Sequence, residues 1–159
     1  MLYSSDRKLY VAHFGHEKLK GARHWALILM KNRRSGKEYQ IEGSTITYSY
    51  LPPEKNVKPL TISTFLGMTE VGVIPNKRRD EFKQILATVP VVLGDLQWNC
   101  QNWVIDAMST LRKAGFNVQD SSHDELLKRL DALRRKRRIS LFSKFRSKQN
   151  FKIMSTAMG

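Results

Sequence analysis

The sequence predicts an α+β domain in which strands come first and helices follow. Short segments rich in aromatic and β-branched residues, one with alternating polarity, fill the first half of the chain. The second half has apolar residues at three- and four-residue spacing, flanked by helix-capping residues. The 159 residues are enough for one domain with a hydrophobic core, and a hydrophobic content of 41% favours a folded chain.

Strand signals lie before residue 75. The apolar run 24–30 is short enough for a buried strand, and the alternating segment 37–45 follows it after a polar turn, so the two predict a β-hairpin. The predicted strands are 8–14, 24–30, 37–45 with a possible extension over 45–50, 60–65 and 69–74, with a loop over 51–59.

Helix signals follow. The first predicted helix begins at 75–76 and ends at Pro90. The second runs from about Asn99 to Ala114, where Gly115 occupies the position of a C-terminal cap. The third begins at a capping box formed by Ser122 and Glu125, and its apolar stripe consists of Leu126, Leu127, Leu130 and Leu133.

The net charge of +14 is unevenly distributed. Residues 128–159 contain eleven Lys/Arg and one acid, which gives +10, whereas residues 1–127 contribute +4. We therefore divide the chain into a folded domain, 1–133, and a basic C-terminal tail, 134–159. The tail opens with five consecutive cations, Arg134, Arg135, Lys136, Arg137 and Arg138. A solvated helix end would tolerate them, but the run favours a polyanionic partner: nucleic acid, an anionic membrane or an importin.

Composition also argues against several classes of protein. A single cysteine cannot form an internal disulfide, and no apolar run approaches the ~20 residues of a membrane span. The N-terminus lacks the apolar region of a signal peptide, so we expect an intracellular protein, cytoplasmic or nuclear. No glycine-rich phosphate loop is present, and His13 and His16 lack further spaced ligands, so neither a cofactor nor a metal is expected. The oligomeric state has no signal in the sequence.

Cys100, the single cysteine, lies in the stretch LQWNCQNWVIDAM. Asn99 is a good N-cap, which would make Cys100 the first residue of a helix. Helix N-terminal N–H groups lower a thiol pKa and can stabilise an oxyanion. The alternative is structural, because free cysteines are among the most buried residues. Both interpretations stay open on local features.

A nucleophilic cysteine needs a base, and His24 is the best candidate because it opens an otherwise apolar strand. Glu42 on the next strand could accept the second ring N–H and fix the tautomer. We also consider Gln97 as an oxyanion donor and Trp25 as part of the substrate cleft. Each has a structural alternative: a satisfied histidine, a strand-edge charge or a core tryptophan.

Two signatures resemble a known superfamily. His24-Trp25-Ala26-Leu27 on a strand, followed later by Asn99-Cys100 at a helix start, is similar to circularly permuted papain-like folds of NlpC/P60 type. These include the lecithin retinol acyltransferase-like proteins and the PPPDE isopeptidases. Glu42 matches the position where the acyltransferase-like proteins have a second histidine, so it departs from them in residue type. More narrowly, residues 8–118 resemble a fungal family of unknown function.

The resemblance implies a permuted papain-like fold and a candidate site. Two functions follow as hypotheses. The first is a cysteine hydrolase or acyltransferase that acts on a peptide, an isopeptide or an acyl-lipid. The second is a catalytically silent binding module that attaches to a polyanion through its basic segment.

Overall fold

A curled antiparallel sheet and three helices form the fold. The computed structural model describes the backbone of residues 6–16 and 23–156 and, beyond residue 137, only some of the side chains. The strands are β1 (Arg7–Gly15), β2 (Arg23–Met30), β3 (Gly36–Glu42), β4 (Ser49–Leu51), β5 (Asn56–Val57), β6 (Phe65–Ile74) and β7 (Asn117–Val118). The helices are α1 (Arg79–Thr88), α2 (Cys100–Lys113) and α3 (His123–Thr156). The predicted α+β class is confirmed.

The strand order is β4-β3-β2-β1-β6-β7, and β5 pairs with β3 beside this path. Every described pairing is antiparallel, and the predicted β2–β3 hairpin is present with Leu27 opposite Tyr39. Alternation along the strands gives the sheet two apolar faces. One face packs with the helices in a core that includes Leu9, Trp25, Phe82 and Trp103. The other face carries a smaller cluster around Ala12, Ile28 and Phe65.

Two strand predictions were wrong because turn chemistry interrupts the segments. Gly43 has a φ of +115°, and the Thr47 hydroxyl accepts from the Ser44 N–H at 2.9 Å, so the chain turns there instead of extending β3. It returns as the separate strand β4. Over the predicted strand 60–65, a 3-10 helix spans Pro59–Thr61, and the strand begins only at Phe65.

The starts of α2 and α3 were predicted correctly, whereas α1 begins at Arg79, after a 3-10 helix over Asn76–Arg78, rather than at the predicted 75–76. Asn99 caps α2, Gly115 follows it with a φ of +82°, and Ser122 forms the expected capping box with Glu125. Leu126 and Leu130 are fully buried, as the apolar stripe predicts. Two short strands were missed, β5 inside the predicted loop 51–59 and β7, since two residues carry no periodicity.

The basic segment is not separated from the domain by a break. α3 is continuous from His123 to Thr156, so the predicted boundary at 133/134 falls inside a helix. Arg129, before that boundary, donates to Thr69 Oγ1 at 2.7 Å and to the Glu70 carbonyl at 2.8 Å. Arg137, beyond it, donates to the Phe65 carbonyl. Both contacts hold α3 against β6.

Candidate active site

Cys100 is the first residue of α2, as predicted. Asn99 has extended backbone, and its side-chain oxygen accepts from the Gln101 N–H at 2.9 Å. The Asn102 side-chain oxygen returns the contact by accepting from the Asn99 N–H at 2.9 Å. This reciprocal box fixes where the helix begins and therefore where the sulfur lies. The Cys100 residue is 9% exposed, so the thiol lies at the edge of the core rather than at its centre.

The ring of His24, the second residue of β2, lies close enough to the Cys100 thiol for each group to shift the pKa of the other. Its Nε2 lies 2.5 Å from Gln40 Oε1. An amide oxygen can only accept, so Nε2 carries the hydrogen. Nδ1 is then the ring nitrogen left to accept the proton of the thiol. The structure thus brings together the predicted pair of Cys100 and His24.

Gln40, not Glu42, contacts the second ring nitrogen of His24. The prediction that Glu42 accepts this N–H is corrected, because Glu42 lies one hydrogen bond further away and accepts from Gln40 Nε2 at 3.0 Å. Glu38 lies 3.5 Å from the same amide nitrogen. Two carboxylates beside the amide nitrogen require the NH₂ group to face them and the amide oxygen to face His24. The β3 alternation placed Gln40 on the same face as Glu42, which was the signal available in the sequence.

The ionisation of the pair is coupled. Burial opposes the charged thiolate, but the hydrogen bond and charge of His24, with the backbone N–H groups of Trp25 and Gln101, lower the Cys100 pKa below its ordinary value. Burial likewise opposes the imidazolium, but Cys100, Gln40 and the charge of Glu38 raise the His24 pKa. Both directions favour a thiolate beside an imidazolium, the form in which a cysteine is nucleophilic.

Trp25 takes part through its backbone rather than its indole. Its backbone N–H helps to lower the Cys100 pKa, whereas its side chain is fully buried and stacks on His123 with ring centroids 5.1 Å apart. Because the indole is fully buried, it does not line an open cleft as predicted. His123 Nε2 also lies 2.6 Å from Gln101 Oε1.

Gln97, the predicted oxyanion donor, is exposed and is held by its backbone N–H, which donates to Asp95 Oδ1 at 2.8 Å. Gln101 is the glutamine with a described side-chain contact near the sulfur. Its Nε2 donates to the Arg23 carbonyl at 3.3 Å, and the Cys100 sulfur lies 4.0 Å from that same oxygen. No periodic pattern distinguished Gln101 from its neighbours.

The turn after β3 and the segment before α2 contact each other near the thiol. The Gly94 N–H donates to the Thr45 carbonyl at 2.9 Å and joins the segment before α2 to the turn after β3. Tyr48 packs edge-on against Trp98, with ring centroids 5.9 Å apart, and lies close enough to Cys100 for their charges to interact. Large apolar side chains are exposed on these loops: Ile46, Leu93 and Leu96.

The five consecutive cations of α3 do not share one environment. Arg137 contacts Phe65, and Arg134 is partly buried and lines a cavity with Arg23, Asp131 and Arg135. Arg135 and Lys136 are exposed, while the Arg138 side chain lies outside the described residues. Within the described part of the chain, no group of three or more His, Cys, Asp or Glu is arranged to hold a metal, and no helix is long and apolar enough to cross a membrane.

Residues 9–117 match the model of a family of unknown function, DUF6540. The chain belongs to this family. The match covers most of the sheet together with α1 and α2, including His24, Gln40 and Cys100, and it ends before α3. The predicted membership of a family of unknown function is thereby confirmed, and the matched range 9–117 is close to the predicted range 8–118. No curated protein and no solved structure matches the chain significantly. The DUF6540 match assigns no activity to the chain.

Proposed function

We propose that the protein is a cysteine hydrolase or acyltransferase in which Cys100 is the nucleophile and His24 the acid–base. The observation that carries the proposal is the connected series Cys100–His24–Gln40, in which the Gln40 amide sets the ring tautomer. A structural cysteine needs neither a histidine on its sulfur nor an acceptor that orients that histidine. The order of the His-bearing strand and the Cys-bearing helix, which resembles permuted papain-like enzymes, supports the same proposal.

The chemistry follows from the geometry. The Cys100 thiolate attacks the carbonyl carbon of an amide, isopeptide, ester or thioester, and backbone N–H groups at the start of α2 stabilise the negative oxygen. The His24 imidazolium then protonates the leaving group as the carbon–heteroatom bond breaks. Water or another acceptor attacks the resulting acyl-thioester while His24 takes its proton. Release of the acyl product restores the thiolate and the imidazolium.

The pH dependence of alkylation by iodoacetamide tests the pair directly, because Cys100 is the single thiol of the chain. In the wild type we expect the rate to titrate well below the ordinary thiol pKa of ~8.5. In His24→Ala the titration should move upward, because both the hydrogen bond and the charge of the imidazolium are lost.

His123→Ala is the matched control for that experiment. It removes a second imidazole near α2, one that contacts Gln101 and Trp25, so the titration should stay at the wild-type position. An ordinary thiol titration in the wild type, or equal shifts in the two variants, would make Cys100 a structural residue.

A second candidate function is attachment to a polyanion through α3, as an alternative or in addition to catalysis. The supporting observation is that Lys136 and Arg146 are exposed on a helix that continues beyond the family match. Binding to duplex DNA and to anionic vesicles tests it. Lys136→Gln/Arg146→Gln should weaken binding, whereas Arg33→Gln/Arg34→Gln, which removes two exposed cations elsewhere, should weaken it less. Equal weakening would indicate attraction by net charge alone.

A further inference from the structure

We propose that the cavity between the start of β2 and α3 binds an anionic oxygen group of the substrate, a carboxylate or a phosphate, beside Cys100. Because this role needs a reaction at Cys100, it rests on the proposed function. The cavity measures about 320 Å³ and is lined by Arg23, Arg134, Arg135 and Asp131.

Arg23 links the cavity to the surroundings of the Cys100 sulfur. The carbonyl of this residue lies 4.0 Å from the Cys100 sulfur, and its side chain extends to the cavity and pairs with Asp131. A group bound by the arginines is therefore about one side chain away from the nucleophile. His24 lies between Arg23 and Trp25 in the sequence, so the same strand end supplies the base, the backbone donor and one wall of the cavity.

The charge balance of the cavity is positive. Three arginines face one carboxylate, and that carboxylate is already engaged by Arg23. Among the described residues, Arg134 and Arg135 have no hydrogen bond or ion pair. Guanidinium groups are suited to carboxylates and phosphates, because their planar donors match two oxygens at once.

His13 is an independent indicator beneath the same part of α3. The residue is fully buried, and neither ring nitrogen has a hydrogen-bond partner among the described residues. Burial is the main cause that lowers its pKa to about 4; Arg23 lowers it further, Asp131 partly offsets this, and Arg134 lowers it again. The positive charges of Arg23 and Arg134 thus act on the buried ring, and Asp131 offsets only part of their effect.

Two alkylating agents of nearly the same size test the inference. Iodoacetate carries a negative charge and iodoacetamide does not, and both report on the same thiol. We expect the rate constant of iodoacetate divided by that of iodoacetamide to be at least about threefold larger on the folded protein than on the urea-unfolded protein, because the arginines attract the negative reagent. Raising the salt concentration should reduce this excess.

Arg134→Gln/Arg135→Gln should lower the ratio toward that of the unfolded chain. Because both reagents react with the same thiolate, the ratio does not depend on what fraction of the thiol is ionised. The matched control is Arg33→Gln/Arg34→Gln, which removes two exposed arginines just beyond the opposite end of β2, roughly 20 Å away. This distance exceeds the ~10 Å screening length at 0.1 M salt, so the ratio should not change.

Protection experiments distinguish the two anion classes. Inorganic phosphate and acetate, each at matched ionic strength, are added during alkylation by iodoacetamide. Protection by phosphate alone assigns a phosphate group, protection by acetate a carboxylate, and in each case it should vanish in Arg134→Gln/Arg135→Gln.

The outcomes separate this inference from the proposed function. Fast, His24-dependent reaction with iodoacetamide but an ordinary reagent ratio would overturn the anion site and keep the nucleophile. A high reagent ratio on a thiol with an ordinary pKa would show that the cavity is cationic but that Cys100 is not an activated nucleophile. This outcome would overturn the role of the cavity in binding a substrate. If the two arginine pairs had equal effects, the preference for iodoacetate would be due to net charge alone, and the substrate role of the cavity would again be overturned.

Discussion

At the residue scale, the orientation of the Gln40 amide determines which ring nitrogen of His24 can take a proton. Gln40 lies between a ring nitrogen and two carboxylates, and only one orientation of its side chain satisfies all three groups. Glu42 and Glu38 act on the histidine through this amide, so the negative charge stays one residue away from the ring. The imidazole can then exchange a proton with Cys100 without losing it to a carboxylate.

The two candidate orienters can be separated by substitution. Gln40→Ala removes the acceptor of the His24 Nε2–H, and we expect the alkylation rate at pH 7 to fall about tenfold, because a hydrogen bond to a charged group is lost. Glu42→Ala should cost less than threefold, since Gln40 keeps its oxygen toward the ring. A larger loss in Glu42→Ala than in Gln40→Ala would restore Glu42 as the orienter.

His13 should make the protein sensitive to acid. Its pKa is about 4 in the folded chain, against 6.5 ordinarily, so the unfolded chain binds more protons between these values. The free energy of unfolding should therefore fall as the pH drops from 6.5 to 4, by about 3 kcal/mol. Urea unfolding of the wild type and of His13→Leu across this range measures it.

His13→Leu keeps a buried side chain of similar size and removes the titrating group. Its free energy of unfolding should stay within about 1 kcal/mol of the wild type at pH 7. Between pH 6.5 and 4, the free energy of unfolding of His13→Leu should fall less than that of the wild type, and the difference should be about the 3 kcal/mol expected from His13. Parallel pH profiles for the two proteins would show that other groups cause the acid sensitivity.

At the element scale, the caps of α2 and the start of α3 could be predicted from the sequence because capping is local. Asn99, Ser122 and Gly115 act on residues within one turn, and the sequence shows both partners. The end of β3 could not be predicted in this way, because 45–50 has strand-forming residues and the turn depends on a Gly43 conformation that competes with them. The Gln40 contact depended on how two strands face a helix, which periodicity alone does not determine.

The first half of α3 is part of the domain core, and a single substitution tests this. Leu130 is fully buried, whereas Lys128 is exposed on the same helix. We expect Leu130→Ala to lower the free energy of unfolding by about 2–5 kcal/mol and Lys128→Ala to change it by less than about 0.5 kcal/mol. Comparable values from thermal or urea unfolding would mean that α3 is only loosely attached.

At the scale of the whole molecule, the candidate site lies where the elements end rather than within the sheet. β2 begins at Arg23, α2 begins at Cys100, and α3 passes both through Asp131 and His123. Strand and helix termini supply backbone N–H groups that no regular ladder consumes. The apolar faces of the sheet hold these termini in place, which is how a core of ordinary composition positions a reactive thiol.

The winding of α3 has a consequence for how many charges a partner could meet at once. Successive residues on a helix point about 100° apart, so five consecutive cations circle the axis instead of lining one side. Arg134 and Arg137 are directed toward the body, Lys136 is exposed, and Arg135 is exposed while also lining the cavity with Arg23 and Asp131. A rigid duplex should therefore displace counterions from only part of the run. Removing the two exposed cations Arg135 and Lys136 should reduce the slope of log K against log salt by about 2, and removing Arg134 and Arg137 should leave that slope nearly unchanged.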